Sequence, residues 1–436
     1  MSVRHTITPI DGPLDARVPI PGSKSLTNRA LVCAALAEGT SVLDGVLLAD
    51  DTEAMLDGLT RLGIAVDIDR AGERVTVTGC AGVLPQAAAG ARLDARLSGT
   101  TARFLLPVLA LGPGPVRLDG APPLRARPMA DGIAAARLLD ADVVEEDQPG
   151  HLPVIVHGGA GASAAEVPVR GDASSQFLSG LLLAAPARSD GLRVSTSGDK
   201  LVSRPYVEMT VAVMRAFGAT ATEQAAGGDG GGWVVQPGGY QATNYRIEPD
   251  ASAASYFFGA AAICGGRVTI DGLGKDSVQG DVHFVDVLEQ MGCRVERGAS
   301  GTTVESEGGL RGVDVDMGDM SDTAQTLAAV AVFADSPTRV RGVGFIRAKE
   351  TDRVGNVVRE LRRCGIRADE EADGFVVHPG NPQPAQIETY DDHRMAMSFA
   401  LLGLRAPGIE ILDPDCVAKT FPGFWNTLAL LYPGGA

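Results

Sequence analysis

Short, strongly apolar helices recur along this chain, and each of them opens on polar or charged residues. The openings recur about every 70–78 residues, which is typical of an internal repeat. A run such as residues 30–36 is apolar on all sides, and a helix of this kind is buried. Its N-terminus presents unpaired N–H groups and the positive end of the helix dipole, which favour an anion. The openings lie at residues 23–29, 98–101, 174–176, 250–252, 321–323 and 391–394. Six such helix ends can converge on one anionic ligand.

A second pattern follows each of these helices. An amphipathic helix runs into a glycine and then into a β-branched strand, and glycine is the residue expected just past a helix end. We predict this element at residues 51–66, 203–220, 281–295 and 352–366, without its glycine at 128–144, and shortened at 422–431. Strands are predicted at residues 74–77, 153–156, 233–235 and 374–377. Each repeat therefore consists of strand, helix, strand, helix and hairpin, and residues 227–232 form one hairpin tip.

The repeats predict two domains. An open solenoid is the alternative, but solenoid repeats usually span only about 20–50 residues. Larger repeats favour globular packing, three to a domain. The domains are residues 21–247 and a discontinuous domain of residues 1–20 plus 248–436, with the active site in the cleft between them.

The amino-acid composition of the chain argues against some classes of binding partner. The chain has 436 residues, 45% of them apolar and 21% charged, with a formal net charge of −16. These are globular values, and the acidity argues against nucleic acid or an anionic membrane surface as partner. Cations are nevertheless concentrated in or beside the repeat openings: Lys24, Arg29, Arg103, Arg127, Arg204, Lys349, Arg353, Arg394 and Lys419.

The cysteines and the apolar segments indicate the compartment. The six cysteines form no Cys-x-x-Cys pair and lie mostly in apolar runs, so we expect buried thiols in a reducing environment. The first 21 residues lack a signal or transit pattern, and the apolar helices are short for a membrane span. We expect a soluble cytoplasmic protein.

Local motifs leave the chemistry open. Residues 21–29 combine glycine, hydroxyls, Lys24 and Arg29 at a helix start, and they indicate an anion site or a helix cap. Residues 349–353 read as a charged turn or as a helical face shared by Lys349 and Arg353. Residues 391–394 favour a helix cap over a metal site. Neither a nucleophile motif nor a dinucleotide fingerprint is present, which favours acid–base catalysis with electrostatic clamping and without a cofactor or metal.

The ordered set of motifs closely resembles the 5-enolpyruvylshikimate-3-phosphate (EPSP) synthase family over nearly the whole chain. The resemblance implies an α/β (α+β) fold, a two-domain inverted α/β barrel in which each domain has three βαβαββ units around buried parallel helices. Its motifs lie at residues 21–25 with 28–29, 99–100 with 103, 127–128, 174–177, 203–206, 250–252, 280–281, 322, 349–353, 392–397 and 419–422.

The resemblance also implies a reaction and a set of site residues. The family transfers the enolpyruvyl group of phosphoenolpyruvate to the 5-hydroxyl of shikimate 3-phosphate and releases phosphate through a tetrahedral intermediate. The implied catalytic residues are Lys24, Asp322 and Glu350. Phosphoenolpyruvate is expected at Lys24, Gly99, Arg127, Gln176, Arg353, Arg394 and Lys419. Shikimate 3-phosphate is expected at Lys24, Ser25, Arg29, Ser174, Ser175, Gln176, Ser203, Asp322 and Lys349.

Two alternatives stay open at this point. A UDP-N-acetylglucosamine enolpyruvyl transferase shares the architecture, but its reactive cysteine is missing from residues 121–128. A non-catalytic binding protein would be expected to lose an acid or a cation from the set. We expect a monomer, and Gly99 favours sensitivity to glyphosate. Phe345, Ser98 and Phe104 depart from residues common in the family.

Overall fold

The computed structural model describes residues 3–159, 164–171, 174–197, 201–227 and 230–433. It divides into a continuous unit, Gly22–Ile247, and a discontinuous unit, Met1–Pro21 with Glu248–Ala436. Among the described residues, no helix combines the length and apolar character needed to cross a bilayer.

The helices begin close to the predicted openings. In chain order they are α1 (Lys24–Leu36), α2 (Asp50–Arg61), α3 (Gly99–Leu109), α4 (Pro122–Arg125), α5 (Ala130–Leu138), α6 (Ser175–Ala184), α7 (Arg204–Ala216), α8 (Ala251–Cys264), α9 (Phe284–Gln290), α10 (Ala324–Ala331), α11 (Gly355–Arg363), α12 (His393–Gly403) and α13 (Phe424–Ala429).

The strands are short and lie between these helices. They are β1 (Arg4–Thr6), β2 (Leu14–Arg17), β3 (Ala37–Glu38), β4 (Thr40–Asp44), β5 (Ala65–Asp69), β6 (Arg74–Thr78), β7 (Arg92–Asp94), β8 (Val116–Asp119), β9 (Asp142–Glu145), β10 (Val154–His157), β11 (Glu166–Arg170), β12 (Leu192–Ser197), β13 (Ala221–Gly227), β14 (Gly230–Val235), β15 (Tyr240–Gln241), β16 (Asn244–Arg246), β17 (Gly266–Asp271), β18 (Arg294–Arg297), β19 (Gly301–Ser306), β20 (Asp314–Asp316), β21 (Thr338–Arg341), β22 (Ala368–Glu371), β23 (Gly374–Val377), β24 (Ala385–Ile387) and β25 (Ile409–Leu412).

The continuous unit is built from four-stranded sheets with the orders β16-β4-β6-β5, β7-β8-β10-β9 and β11-β12-β14-β13. In each sheet the first pair is parallel and the other pairs are antiparallel. Parallel neighbours need a crossover, and α3 and α6 supply it for the second and third sheets. The short strands β3 and β15 pair separately.

The discontinuous unit repeats this plan. Its sheets have the orders β18-β19-β17-β2, β20-β21-β23-β22 and, with three strands, β1-β25-β24. The parallel pairs are β2–β17, β20–β21 and β24–β25, and α8, α10 and α12 are the corresponding crossovers. The predicted α/β fold, with three repeats in each unit, is confirmed.

The helices α8, α10 and α12 form the core of the discontinuous unit. All of their residues are buried, as predicted from their apolar character. Gly259 of α8 allows this packing, because an added Cβ would come within 3.1 Å of both Val330 and Leu401. Buried hydroxyls also meet here: Ser255 Oγ lies 3.0 Å from Thr326 Oγ1, which lies 3.4 Å from Ser398 Oγ. The core therefore holds the three helix N-termini in fixed register.

The glycines predicted to end the amphipathic helices have positive φ angles, between 75° and 113°. They are Gly63, Gly218, Gly292 and Gly365. In the repeat that lacks this glycine, Asp140 takes the same place after α5 with φ 70°. The left-handed turn is thus a feature of the repeat itself. Part of the predicted hairpin tip at 227–232, residues 228 and 229, lies outside the described residues.

Candidate active site

The opening of α1 carries Lys24. Ser23 caps the helix by accepting from the N–H of Leu26, and Gly22 lies so close to the carbonyl of Gly45 that a side chain there would overlap it. Lys24 Nζ lies 3.3 Å from Oδ2 of Asp51, whose side chain is almost fully buried. The buried carboxylate thus fixes the position of the lysine ammonium.

Arg29 lies one turn further along α1 and is buried. Its guanidinium donates to the hydroxyl of Thr210 (2.7 Å) and to the carbonyls of Ser25 (2.8 Å) and Tyr206 (3.0 Å). The ring of Phe104, one of the departures from the family pattern, lies 5.1 Å from Arg29 Cζ. Burial lowers the pKa of Arg29 to about 10, so the side chain stays charged at neutral pH. In this structure Arg29 connects α1 with α7.

The opening of α3 meets Arg127. Ser98, another departure, caps the helix by accepting from the N–H and the hydroxyl of Thr101. The Thr101 hydroxyl also lies within donating distance of the Asp51 carbonyl (3.1 Å). Gly99 faces the guanidinium of Arg127, since an added Cβ would lie 2.9 Å from its Nη1. The absence of a side chain at Gly99 therefore lets Arg127 approach the helix start.

The opening of α6 carries Gln176, which links two elements of the site. Its Oε1 accepts from Arg103 Nη1 (2.6 Å), and its Nε2 donates to the hydroxyl of Thr100 (3.0 Å). Ser174 caps α6 by accepting from the N–H of Gln176, and Ser175 is buried in the first turn. The starts of α3 and α6 are thereby joined through one side-chain amide.

Ser203 lies immediately before α7. It is buried and has a left-handed backbone, φ 54°, and its carbonyl accepts from the N–H of Tyr206. Its neighbour Arg204 is directed to Glu208 and Glu223. Arg204 therefore forms ion pairs at the surface, whereas Ser203 is buried immediately before the start of α7.

In the discontinuous unit, Arg353 is the centre of a carboxylate cluster. Its guanidinium donates to Asp392 through Nε (2.7 Å) and Nη2 (3.1 Å) and to Asp322 through Nη1 (3.2 Å). It also forms an ion pair with Glu350, whose Oε2 lies 2.9 Å from Nη2. Burial lowers the pKa of Arg353, but Asp392, Glu350 and Asp322 raise it by more, so the net shift is upward. One planar cation thus orients three carboxylates.

Further cations surround the same carboxylates. Asp322 accepts from Arg394 (2.7 Å) and lies 3.7 Å from Lys349 Nζ. Lys419 Nζ lies 3.9 Å from Glu350. Phe345, the third departure, places its ring 5.9 Å from Lys349 Nζ, which is within the range of a cation–π contact. The four cations predicted in this unit are therefore all brought to Asp322 or Glu350.

Of the two interpretations of residues 349–353, the charged turn agrees with the structure, and the helical face shared by Lys349 and Arg353 is wrong. Residues 344–348 form a 3₁₀ turn, and α11 begins only at Gly355. The side chain of Asp352 accepts from the N–H groups of Val354 and Gly355, and this local turn delays the start of the helix. Residues 349–353 therefore lie in a bend and a turn that precede α11, and not on a helix.

Asp281 lies beside this cluster and was absent from the predicted site. It is buried, and it accepts a hydrogen bond from the hydroxyl of Ser252. Burial, assisted by the negative charge of Asp322, raises the pKa of Asp281 to about 6, against the opposing effects of Arg394 and Ser252. The discontinuous unit thus contains a buried acid whose pKa is raised well above its ordinary value.

The two units differ in charge balance. In the discontinuous unit, four cations face Asp322, Glu350, Asp392 and Asp281. In the continuous unit, Asp51 is the carboxylate paired with Lys24, and the arginines bond mainly hydroxyls, carbonyls and an amide. Among the described residues, an anion that binds the cations of the discontinuous unit must therefore replace carboxylate partners.

Asp51, Asp281, Asp392 and Tyr256 are the residues that the sequence analysis did not place in the site. Asp392 was considered only as a helix cap, a role it fills by accepting from the N–H of Arg394. Tyr256 lies in an apolar run, yet its hydroxyl is 3.4 Å from Arg394 Nη1. A charge-balance argument could have found the acids, because buried cations require buried anions.

The fold and these buried charge clusters define the class of protein. The chain superimposes on the enolpyruvyl transferase NikO from Streptomyces tendae with a TM-score of 0.71, over 98% of this chain and 96% of that one, at 20% identity. At that identity the likeness concerns the fold alone. The fold is that of the two-domain enolpyruvyl transferases.

Closer comparisons identify the family. The family model for EPSP synthase (3-phosphoshikimate 1-carboxyvinyltransferase) matches residues 9–428. A 3-phosphoshikimate 1-carboxyvinyltransferase of a Nostoc species is 45% identical over 421 residues, covering 96% of this chain and 97% of its own. The EPSP synthase of Acinetobacter baumannii superimposes with a TM-score of 0.82 at 26% identity, with 98% of each chain covered. The chain belongs to the EPSP synthase family.

Proposed function

We propose that this protein transfers the enolpyruvyl group of phosphoenolpyruvate to the 5-hydroxyl of shikimate 3-phosphate, with release of phosphate. Family membership supports the reaction. The observation that carries it to particular residues is the sharing of Arg353 by Asp322 and Glu350. Addition followed by elimination needs a proton donor and a proton acceptor within one electrostatically organised group, and this arrangement supplies both.

We assign the proton transfers to three residues. In the addition, Asp322 accepts the proton of the attacking hydroxyl, and Glu350 delivers a proton to the methylene carbon of phosphoenolpyruvate. In the elimination, Glu350 takes a proton back from the resulting methyl group as the C–O bond to the leaving phosphate breaks. Lys24 takes part in proton transfer at the leaving phosphate, and its pairing with Asp51 supports a fixed position for it. No step requires a cofactor.

The binding roles follow the chemistry of each side chain. Arginine binds carboxylate and phosphate through two parallel bonds, and lysine acts as a single charge. Hydroxyls and an amide at helix starts suit phosphate and ring hydroxyls. We propose Lys24, Gly99, Arg127, Gln176, Arg353, Arg394 and Lys419 for phosphoenolpyruvate. For shikimate 3-phosphate we propose Lys24, Ser25, Arg29, Ser174, Ser175, Gln176, Ser203, Asp322 and Lys349.

Phosphate release from phosphoenolpyruvate tests the function. The acceptor is shikimate 3-phosphate or UDP-N-acetylglucosamine, and the proteins are wild type, Glu350→Gln and Glu296→Gln. Glu296 is an exposed control on β18. We expect release with shikimate 3-phosphate alone, a loss of about 10²-fold or more in Glu350→Gln and none in the control. Release with the nucleotide sugar alone would assign the sister activity, and release with neither would indicate a binding protein.

We further propose a monomer that works in the cytoplasm. The six cysteines are free thiols, as expected where thiols stay reduced. Light scattering of the purified protein tests the oligomeric state.

A further inference from the structure

The segment Glu388–Asp392 leads into α12 through an unusual backbone. Tyr390 and Asp391 have φ angles of 55° and 57°, so two consecutive residues other than glycine adopt the left-handed conformation. Each such residue is strained, and the conformation persists only where surrounding contacts impose it. Asp392, which bonds Arg353, and Arg394, which bonds Asp322, follow at once. The direction of this turn therefore determines the backbone positions from which the side chains of Asp392 and Arg394 extend.

A buried carboxylate of α11 supplies those contacts. The side chain of Glu360 has no exposed surface. Its Oε2 accepts from the N–H of Glu388 (3.0 Å), and its Oε1 accepts from the hydroxyl of Tyr390 (2.6 Å). Arg363 lies 3.0 Å from the same carboxylate. Glu360 thus contacts the turn at its first residue, Glu388, and at the side chain of Tyr390, whose backbone is left-handed.

The other end of the turn is fixed from the same part of the chain. Arg353, two residues before α11, bonds both carboxylate oxygens of Asp392. Residues 353–360 therefore contact the turn at both ends, since Glu360 accepts from Glu388 and Arg353 donates to Asp392. Loss of the Glu360 contact would therefore remove one of the contacts on the strained residues. These contacts also include that of the Arg359 guanidinium, which lies 5.8 Å from the ring of Tyr390.

We propose that Glu360 and Tyr390 are positioning residues for the reaction. By imposing the left-handed turn, they keep Asp392 and Arg394 aligned with Arg353 and Asp322. This inference rests on the proposed function for its kinetic test, since Arg353 and Arg394 are assigned to phosphoenolpyruvate. It extends that assignment to two residues that contact no reacting group and act through the turn.

Tyr390→Phe tests the proposal, because it removes the hydroxyl and keeps the ring. We expect the KM for phosphoenolpyruvate to rise about five- to tenfold, from the loss of one partly buried hydrogen bond. The KM for shikimate 3-phosphate should stay within about twofold, because most of its proposed ligands, such as Ser25 and Ser174, belong to the other unit. We expect kcat to fall along with the rise in the KM for phosphoenolpyruvate, because Asp322 and Glu350 both contact Arg353. The matched control is Tyr432→Phe, which removes another tyrosine hydroxyl bond, to the Thr8 carbonyl (2.7 Å), in the same unit.

The outcomes separate the proposal from a general loss of stability. An unchanged KM for phosphoenolpyruvate in Tyr390→Phe overturns it, as does an equal change in Tyr432→Phe. Crystal structures of wild type and Tyr390→Phe give a readout that needs no activity. If wild type releases no phosphate, the proposed function fails, whereas an unmoved turn and an intact Arg353–Asp392 pair in the variant would overturn the positioning role itself.

Discussion

Arg353→Lys is the most direct test of the carboxylate cluster, because it keeps the positive charge and removes the planar guanidinium group with its several donors. The arginine makes four contacts with three carboxylates, and its side chain is 2% exposed. A lysine ammonium is a single point of charge and cannot reach Asp392, Asp322 and Glu350 in these directions together. We expect at least two of the four contacts to be lost.

The size of the effect follows from those contacts. A hydrogen bond to a charged group contributes about 1.5–3 kcal/mol, so the loss of two weakens the cluster by about 3–6 kcal/mol. Because each 1.4 kcal/mol is tenfold in rate, kcat/KM should fall by about 10²- to 10⁴-fold if the loss appears in the transition state. Phosphate release with both substrates measures it, and urea unfolding reports the share that appears as lost stability.

Arg347→Lys is the matched control. Arg347 lies in the same segment and contacts Asp352, Glu370 and the carbonyl of Glu371, but its side chain is 28% exposed. Exposed ion pairs contribute about 0–1 kcal/mol, so we expect less than about a fivefold change. Activity of Arg353→Lys within tenfold of wild type, in a fully folded protein, would refute the role of the planar guanidinium group.

Two further changes test the buried acid and the start of α1. Because the pKa of Asp281 is raised to about 6 by burial and by Asp322, the unfolded chain loses this proton at lower pH than the folded protein. The raised pKa therefore costs nothing well below pH 4, where the carboxyl is protonated in both states, and up to about 3 kcal/mol above pH 6. Asp281→Asn should be increasingly more stable than wild type in urea as pH rises from 4 to 7, and parallel pH profiles would contradict the shift. Gly22→Ala should destabilise by about 2–3 kcal/mol or more, because its Cβ meets the Gly45 carbonyl. Gly423→Ala, where nothing lies within 4 Å of an added Cβ, is its control, and equal unfolding midpoints would refute the overlap.

Local rules explain why the helix openings were predictable. Ser23, Ser98, Ser174, Asp250 and Asp392 each accept a backbone N–H at a helix start. Such caps involve residues only two or three positions apart, so the sequence displays them directly. The same holds for the glycines with positive φ, which recur after the amphipathic helices.

The pairing of charges could not be predicted in this way. Arg353 meets Asp322 and Asp392, which are 31 and 39 positions away, because α10, α11 and α12 are packed in one unit. The helical spacing assumed for Lys349 and Arg353 was wrong because one side chain, Asp352, competes for the backbone N–H groups. Asp281 and Tyr256 became part of the site only through neighbours distant in the sequence.

The sequence by itself therefore determined the repeat, the buried helices with their caps and, through its motifs, the family. Tertiary structure alone decided which carboxylate faces which cation, how Asp281 comes to titrate near pH 6, and how Glu360 reaches Tyr390. The physical reason is range: capping and periodicity act within a few residues, whereas burial and ion pairing depend on distances that only the packed chain defines.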